Sequence, residues 1–449
     1  MKKVLLLFVV FAILFAAAMV PQESQAVPSY ARQIQKPCTA CHTIWPNLNQ
    51  YGRQFKVKAY TDVSPDWQMI NKDKLNLLYI MPVSARAIFF PYMKEQDAVA
   101  QLNENSTKID SVALFIASRI FDYAGVFGSG EWSSDDDAFH LPTFKVAFAY
   151  PLGGESSSKE PGATTQGSTI GLVTFKGLSA AADPFNSLGG RDRSLTWGDE
   201  TKPLVLTKGW TFDFWSEGNI GLVAHGYFLG NRLYAAVGAL RGGLSTDASG
   251  GVLSNLSTTA PSSSAVAEND PFDGYFRLAW DQKLDNGAVT FGGAYYSGTQ
   301  RVNTSTSSAL TLPYDSHVNR TYLDLSLEQN FGEDHLVELQ ALYGWGKETN
   351  VFGGDEERKF DGFHIEGSYF YDRMVGLVGG YNYLNVKNVQ STDITGDQNK
   401  VNQWLVSLNY LPWLNTKIAL QYVQTKTKFA GGEPDETDKI FRIVFDVVF

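Results

Sequence analysis

The chain closes on Asp438-Lys-Ile-Phe-Arg-Ile-Val-Phe-Asp-Val-Val-Phe449, and this stretch decides the fold. Phe441, Ile443, Phe445, Val447 and Phe449 share one parity, while Arg442, Val444, Asp446 and Val448 share the other. Successive side chains of a strand point to opposite faces, so this period of two predicts a strand with one apolar and one wetter face. Apolar outside and polar inside, over segments of about ten residues, is the pattern of a membrane-spanning barrel.

Working back from the C-terminus, the alternation recurs. Leu323, Leu325 and Leu327 oppose Asp324, Ser326 and Glu328, and Val337, Leu339, Ala341 and Tyr343 oppose Glu338 and Gln340. Sixteen such segments can be marked, at 76–91, 110–121, 123–133, 140–151, 167–176, 217–228, 231–242, 271–282, 286–299, 318–331, 334–347, 359–371, 374–388, 401–412, 415–428 and 438–449. Every second connection is tight (Phe121-Asp122-Tyr123, Gly230-Asn231, Asp285-Asn286-Gly287, Gly332-Glu333-Asp334, Asp372-Arg373, Pro412-Trp413-Leu414-Asn415). The alternate ones, including 177–216, 243–270, 301–317 and 389–400, are long and rich in Ser, Thr, Gly, Asn and Asp. Short periplasmic turns and long outer loops are what a bacterial barrel shows; the segment 153–166 breaks the rule. A soluble sandwich or propeller can also alternate, but so many strands exceed a single sandwich, and no propeller period is present. No apolar run after residue 26 is long enough for a membrane helix. The fold class expected is therefore all-β: a transmembrane outer-membrane β-barrel of about sixteen antiparallel strands over residues 75–449, ending on an aromatic as the last strand of such barrels does.

The N-terminus differs in kind. Residues 1–26 carry Lys2 and Lys3, an apolar run and Ser24-Gln25-Ala26, which reads as a secretory signal peptide with the mature chain starting at Val27. Next comes Lys36-Pro37-Cys38-Thr39-Ala40-Cys41-His42, which holds both cysteines of the 449-residue chain. The spacing C-x-x-C-H marks covalent attachment of a c-type haem. The chemistry needs two thiols one helical turn apart to add across the two porphyrin vinyl groups, and a histidine directly after to reach the iron. Cys38 and Cys41 are thus the expected anchors and His42 the proximal iron ligand. The competing reading, a redox C-x-x-C, normally follows a strand, and nothing strand-like precedes Cys38.

Residues 27–74 form the expected haem segment, with a helical start read at Pro46 and with Leu48, Tyr51 and Phe55 on one helix face. The segment is basic, with a net charge of +4 (Arg32, Lys36, Arg53, Lys56, Lys58, Lys72 and Lys74 against Asp62, Asp66 and Asp73), whereas the whole chain carries −10. Arg32, Arg53 and Lys56 are candidate partners of the haem propionates; a solvated basic face is the alternative for each. The acidic balance gives no reason to expect nucleic acid. For the distal ligand, methionine or histidine is usual, and Met69, between the haem segment and the first strand, is the first candidate. Met81 shares the parity of lipid-facing Val83 and Phe89. His225 and His364 share a lumen-facing parity, and His140, His317 and His335 sit at strand ends or loops.

Ala26-Val-Pro-Ser-Tyr-Ala-Arg-Gln33, Cys38-x-x-Cys41-His42, Pro46-x-Leu48 and Tyr51-Gly-Arg-x-Phe-Lys56, followed by a barrel, resemble the fused outer-membrane monohaem cytochrome-porins of Fe(II)-oxidising bacteria. Tyr30, Tyr51 and Ala59 depart from the residues usual in that family. The resemblance implies an iron oxidase: extracellular Fe(II) as donor, one covalent haem c, and a periplasmic c-type cytochrome or copper protein as acceptor. The physical argument points the same way, because one haem can link the two sides of a membrane only from inside the protein that spans it, as a plug in the lumen. Asp135-Asp136-Asp137, Asp355-Glu356-Glu357, and Glu433 with Asp435, Glu436 and Asp438 all fall on the long connections, where carboxylates would concentrate Fe(II) or simply solvate the loops. Two other functions fit the same residues: a solute channel with a haem plug, and a conduit for a different donor or acceptor.

Overall fold

The computed structural model describes residues 28–62, 69–72, 75–78, 82–97, 102–134, 137–152, 167–176, 203–207, 220–241, 273–302, 305–306, 309–310, 314–349, 357–387, 398–413, 415–429 and 435–449. Helices α1 (Pro28–Ile34) and α2 (Gln50–Val57) flank a short helical turn over Cys38–Ala40. A hairpin of β1 (Met69–Lys72) and β2 (Leu75–Leu78) follows. Then come β3 (Val83–Asp97), β4 (Leu102–Phe121), β5 (Ala124–Ser133), β6 (Ala138–Leu152) and β7 (Ser168–Lys176). After α3 (Leu204–Thr207) the chain forms β8 (Ile220–Phe228), β9 (Leu233–Arg241), β10 (Asp273–Leu284) and β11 (Gly287–Val302). The small hairpin β12 (Ser305–Thr306) and β13 (Ala309–Leu310) precedes β14 (Tyr314–Phe331), β15 (His335–Thr349), β16 (Glu357–Tyr371) and β17 (Val375–Lys387). The last strands are β18 (Gln398–Trp413), β19 (Thr416–Phe429) and β20 (Glu436–Val448).

Sixteen of these strands, β3 to β11 and β14 to β20, close into one antiparallel barrel, and the two small hairpins are not part of it. Each pairs with its neighbour in sequence, and β20 pairs with β3 to seal it, with Ile440 opposite Glu95 and Val448 opposite Arg86. Closure leaves no strand edge unpaired, which is what allows a sheet to cross hydrocarbon. The outward face is apolar: Leu323, Leu325, Trp404, Val406, Leu408 and Phe441 are exposed on the outside, while Asp324, Glu328, Gln403, Ser407 and Arg442 are buried within. The protein is thus an outer-membrane β-barrel. Among the described residues no helix is long and apolar enough to cross a membrane; the crossing is made by strands.

The expected strands hold to within a few residues except the first two: the strand read at 110–121 begins eight residues earlier, at Leu102. Leu75–Leu78 is not the start of the barrel: it pairs with Met69–Lys72, and the wall begins at Val83. Apolar alternation cannot distinguish a small hairpin from the first barrel strand, since both have period two. The long connection read at 153–166 does lie on the side of the tight turns, because β6 ends at Leu152 and β7 begins at Ser168; those loop residues lie outside the described ones, as do Met81, Asp135, Asp136, Asp355, Glu356 and Glu433.

The lumen is filled from within. Ile44, fully buried, packs with Leu336, Phe370, Val378, Leu405, Leu411, Val423 and Ile440 of the wall. Burying one such side chain contributes about 1.5–3 kcal/mol. Leu204 and Val205 of α3 pack inside against Tyr322, Leu342, Phe360 and Leu384.

Candidate functional site

The N-terminal segment is the plug, and its contacts locate it at the tight-turn end of the lumen. Tyr30 Oη donates to the Val126 carbonyl (2.9 Å), and Gln33 Nε2 donates to the Ala117 carbonyl (2.8 Å). The Arg119 amide donates to Gln33 Oε1 (3.1 Å). His225 Nε2 meets the Val57 carbonyl at 3.2 Å. Ala117, Arg119 and His225 lie near the ends of strands that lead into a tight turn, and Val126 lies near the start of one that leaves a tight turn. Gly125 permits the approach: a Cβ there would lie 2.1 Å from the Ala59 carbonyl oxygen.

The C-x-x-C-H residues form a single helical turn. The Cys41 amide donates to the Cys38 carbonyl (3.1 Å) and the His42 amide donates to the same oxygen (2.9 Å). The two cysteines are not joined in a disulfide. Asn49 ties this turn to α2: its amide donates to Cys41 O (2.9 Å), its Nδ2 donates to the Thr39 (3.1 Å) and Ala40 (3.0 Å) carbonyls, and its Oδ1 accepts from the Gly52 amide (2.9 Å) as an N-cap. Gly52 is required at this contact, because a Cβ would come within 2.2 Å of Cys41 O. The helix therefore starts at Gln50 behind Asn49, not at Pro46. Tyr51 and Phe55 do share a face, and with Tyr30, Ile34, Tyr60 and Cys41 they form an apolar cluster.

His42 is oriented by its own turn, its Nδ1 lying 3.2 Å from the Pro46 carbonyl. A proton on Nδ1 donated to that oxygen leaves the Nε2 lone pair available to a metal, the usual way a ligating imidazole is aimed. Burial in the lumen pushes His42 down to about 4, so the ring is neutral at ordinary pH. Burial, then the neighbouring Cys38 and Asp62, push the Cys41 thiol up to about 12; a thiol held protonated is a poor candidate for redox exchange. Among the described residues no group of three or more His, Cys, Asp or Glu side chains could hold a bare metal ion. Two thiols on one helical turn and one aimed imidazole are the donor set of a covalent c-type haem, and the residues present fit that group.

The remaining candidates fall in different places. Arg53, expected among the propionate partners, is instead committed to the wall: Nε and Nη2 donate to Asp281 (3.1 and 2.9 Å), Nη2 also reaches Glu328 (3.4 Å), and Nη1 donates to the Leu48 carbonyl (2.7 Å). Burial alone would make its charge costlier, and Asp281 and Glu328 outweigh this and hold it protonated. Arg32 is half-buried and donates to the Val83 carbonyl at 2.7 Å. Lys56 is half-buried in the last turn of α2. Met69 lies in the hairpin strand β1, opposite Leu78, and not in a loop. His225 and His364 both face inward, as their parity predicts; His364 Nδ1 meets Asn382 Oδ1 at 2.8 Å. On the long-loop side, Glu357 pairs with Lys359 (2.7 Å) and Lys347 (3.4 Å), and Asp435 pairs with Lys428 (3.5 Å), so part of the acidic rim is locally compensated.

Sequence reasoning missed Asn49, Asp281 and Glu338. For Asn49 a signal existed, an Asn directly before a helical stretch. Asp281 and Glu338 look like any lumen-facing carboxylate until the plug is in place.

No family model matches the chain, and no curated protein matches it. Solved barrels do. The in-vitro folded outer membrane protein OmpT of Vibrio cholerae covers 85% of this chain and 100% of its own at 11% identity, with a TM-score of 0.46. An anion-selective porin from Comamonas acidovorans covers 82% and 99% at 13% identity, with a TM-score of 0.48. The outer membrane channel DcaP of Acinetobacter baumannii covers 82% and 95% at 10% identity, with a TM-score of 0.47.

Proposed function

We propose that this porin-like barrel is an electron conduit of the outer membrane, in which an electron from extracellular Fe(II) passes through one haem c to a periplasmic c-type cytochrome or copper protein. The observation that carries the reading is the C-x-x-C-H turn enclosed at the tight-turn end of the lumen, with His42 aimed by the Pro46 carbonyl. A bound haem c supplies reversible one-electron chemistry. Cys38 and Cys41 anchor it, His42 ligates it, the Tyr30, Phe55 and Tyr60 cluster keeps water from the anchoring turn, and Arg32 and Lys56 remain the cations for its propionates. Met69 is proposed as the distal ligand. The hydrocarbon layer is about 30 Å thick, so a haem held inside the lumen shortens the distance an electron must cover without letting Fe(III) product enter the periplasm.

The test is an anaerobic titration of the purified protein with Fe(II), followed at the haem absorbance. Stoichiometric reduction supports the proposal; a fully haem-loaded protein that Fe(II) does not reduce, while a small neutral donor does, overturns the iron assignment. A second reading, a solute channel with a haem plug, is favoured by the strand count, since barrels of sixteen strands are wide enough for an aqueous lumen. Steady ion conductance of the haem-loaded protein in a planar bilayer would select it.

A further inference from the structure

The turn that follows His42 is gripped by the wall in two separate sectors. On one side Glu338 of β15, 5% exposed, accepts from both ends of the turn: Thr43 Oγ1 donates to Oε1, and Asn47 Nδ2 donates to Oε2 at 2.8 Å. Ser368 of the adjacent strand β16 also donates to Oε2, at 3.4 Å. The turn is closed on itself by the Thr43 amide to Asn47 O (3.1 Å) and the Asn47 amide to Ile44 O (2.6 Å). Within it stands Pro46, whose carbonyl aims His42. On the other side the Trp45 ring lies between His42 and the wall. Its centroid is 6.2 Å from that of His42 with the planes 16° apart, and the Arg86 guanidinium lies 4.5 Å from the indole centroid.

Arg86 is itself fixed by two bonds to Asp446, at 2.9 and 2.8 Å. Arg86 belongs to β3 and Asp446 to β20, so this pair crosses the seam at which the barrel closes. Burying a carboxylate costs several kcal/mol of hydration, and two of the donors that offset this at Glu338 come from the plug. We propose that Glu338 and Arg86 are positioning residues for the His42 ring, so that the closed wall, and not the plug alone, sets the geometry of the haem's proximal ligand. This rests on the haem proposal above.

Two measurements separate the proposal from its parent. Amide hydrogen exchange over residues 42–47 is measured in a haem-free Cys38→Ala/Cys41→Ala background, with and without Glu338→Ala, and with Gln340→Ala as a control on the same face of β15. The midpoint potential is then measured in the haem-loaded protein carrying Glu338→Ala, Glu338→Gln or Arg86→Lys. The expected result is exchange at least tenfold faster in Glu338→Ala but not in Gln340→Ala, together with a shifted potential that Glu338→Gln partly restores. Unchanged exchange overturns the grip. Faster exchange with an unchanged potential overturns the positioning role and leaves a merely structural contact. A wild-type protein that takes up no covalent haem sinks the parent reading, and the positioning role with it, while the exchange data still report whether the wall holds the turn.

Discussion

In the wall, Leu323, Leu325 and Leu327 of β14 stand opposite Tyr343, Ala341 and Leu339 of β15 in unbroken register. In the plug, α1 and α2 are only seven and eight residues long, and the polar contacts that tie the segment to the wall come from Tyr30, Arg32, Gln33 and Arg53 of the helices and from Thr43 and Asn47 of the turn between them. The wall satisfies its backbone in a repeating ladder and hides its apolar face in lipid, so no single residue dominates that lipid-facing side. The plug is too small to bury a core of its own. It borrows one, and its position hangs on a few long-range polar contacts between groups that are costly to bury. The lipid face of the wall is a sum of many small terms, whereas the plug hangs on a few large ones.

That contrast can be broken or sharpened by substitution. The largest effect belongs to Cys38→Ala with Cys41→Ala, which should abolish covalent haem staining on a denaturing gel while heat-modifiable migration shows the barrel still closed. Full staining in the double variant would remove the haem assignment. Next is Arg53→Ala. It leaves Asp281, fully buried, without the cation that now faces it, and loss of one partner of a buried pair typically costs about 3–5 kcal/mol. The plug should become protease-sensitive while the strands stay protected; equal proteolysis of variant and wild type would mean that Arg53 does not hold the plug.

A charge on the outer face should act on the other region. Val406→Arg, at an exposed position in the middle of β18, should cost about 2–4 kcal/mol of barrel stability if it lies at the bilayer midplane. Urea titration in lipid vesicles reads this, and the plug contacts should survive in whatever fraction remains folded. Met69→Ala is expected to leave both regions folded, to lower the haem potential and to open the iron to carbon monoxide; an unchanged spectrum would transfer the distal role to His225, His364 or water. The smallest effect is at the rim. Neutralising the three acidic runs to Asn and Gln should slow haem reduction by Fe(II) at low salt and leave reduction by a neutral donor unchanged. The difference should shrink as salt rises, since exposed charges more than about 10 Å apart are largely screened at 0.1 M. Because Glu357 and Asp435 already face lysines, the slowing should be modest, and equal rates across the salt range would assign the runs to solvation alone.

The sequence by itself determined what is periodic or contiguous. Period two along β14, β15 and β20 gave the strands and the face each side chain takes, because a strand's two faces follow from backbone geometry alone. Cys38, Cys41 and His42 share one helical turn and needed no partner to be recognised. The tertiary structure decided what depends on contacts between residues far apart in the chain. Leu75 to Leu78 read as wall until its pairing with β1 was seen, since a small hairpin and a barrel strand present the same alternation. Arg53 read as a propionate partner because its basicity is local information, whereas Asp281 and Glu328, which claim it, lie more than two hundred residues away. Glu338 is indistinguishable in sequence from the other lumen carboxylates, and only closing the barrel around the plug brings it to Thr43 and Asn47.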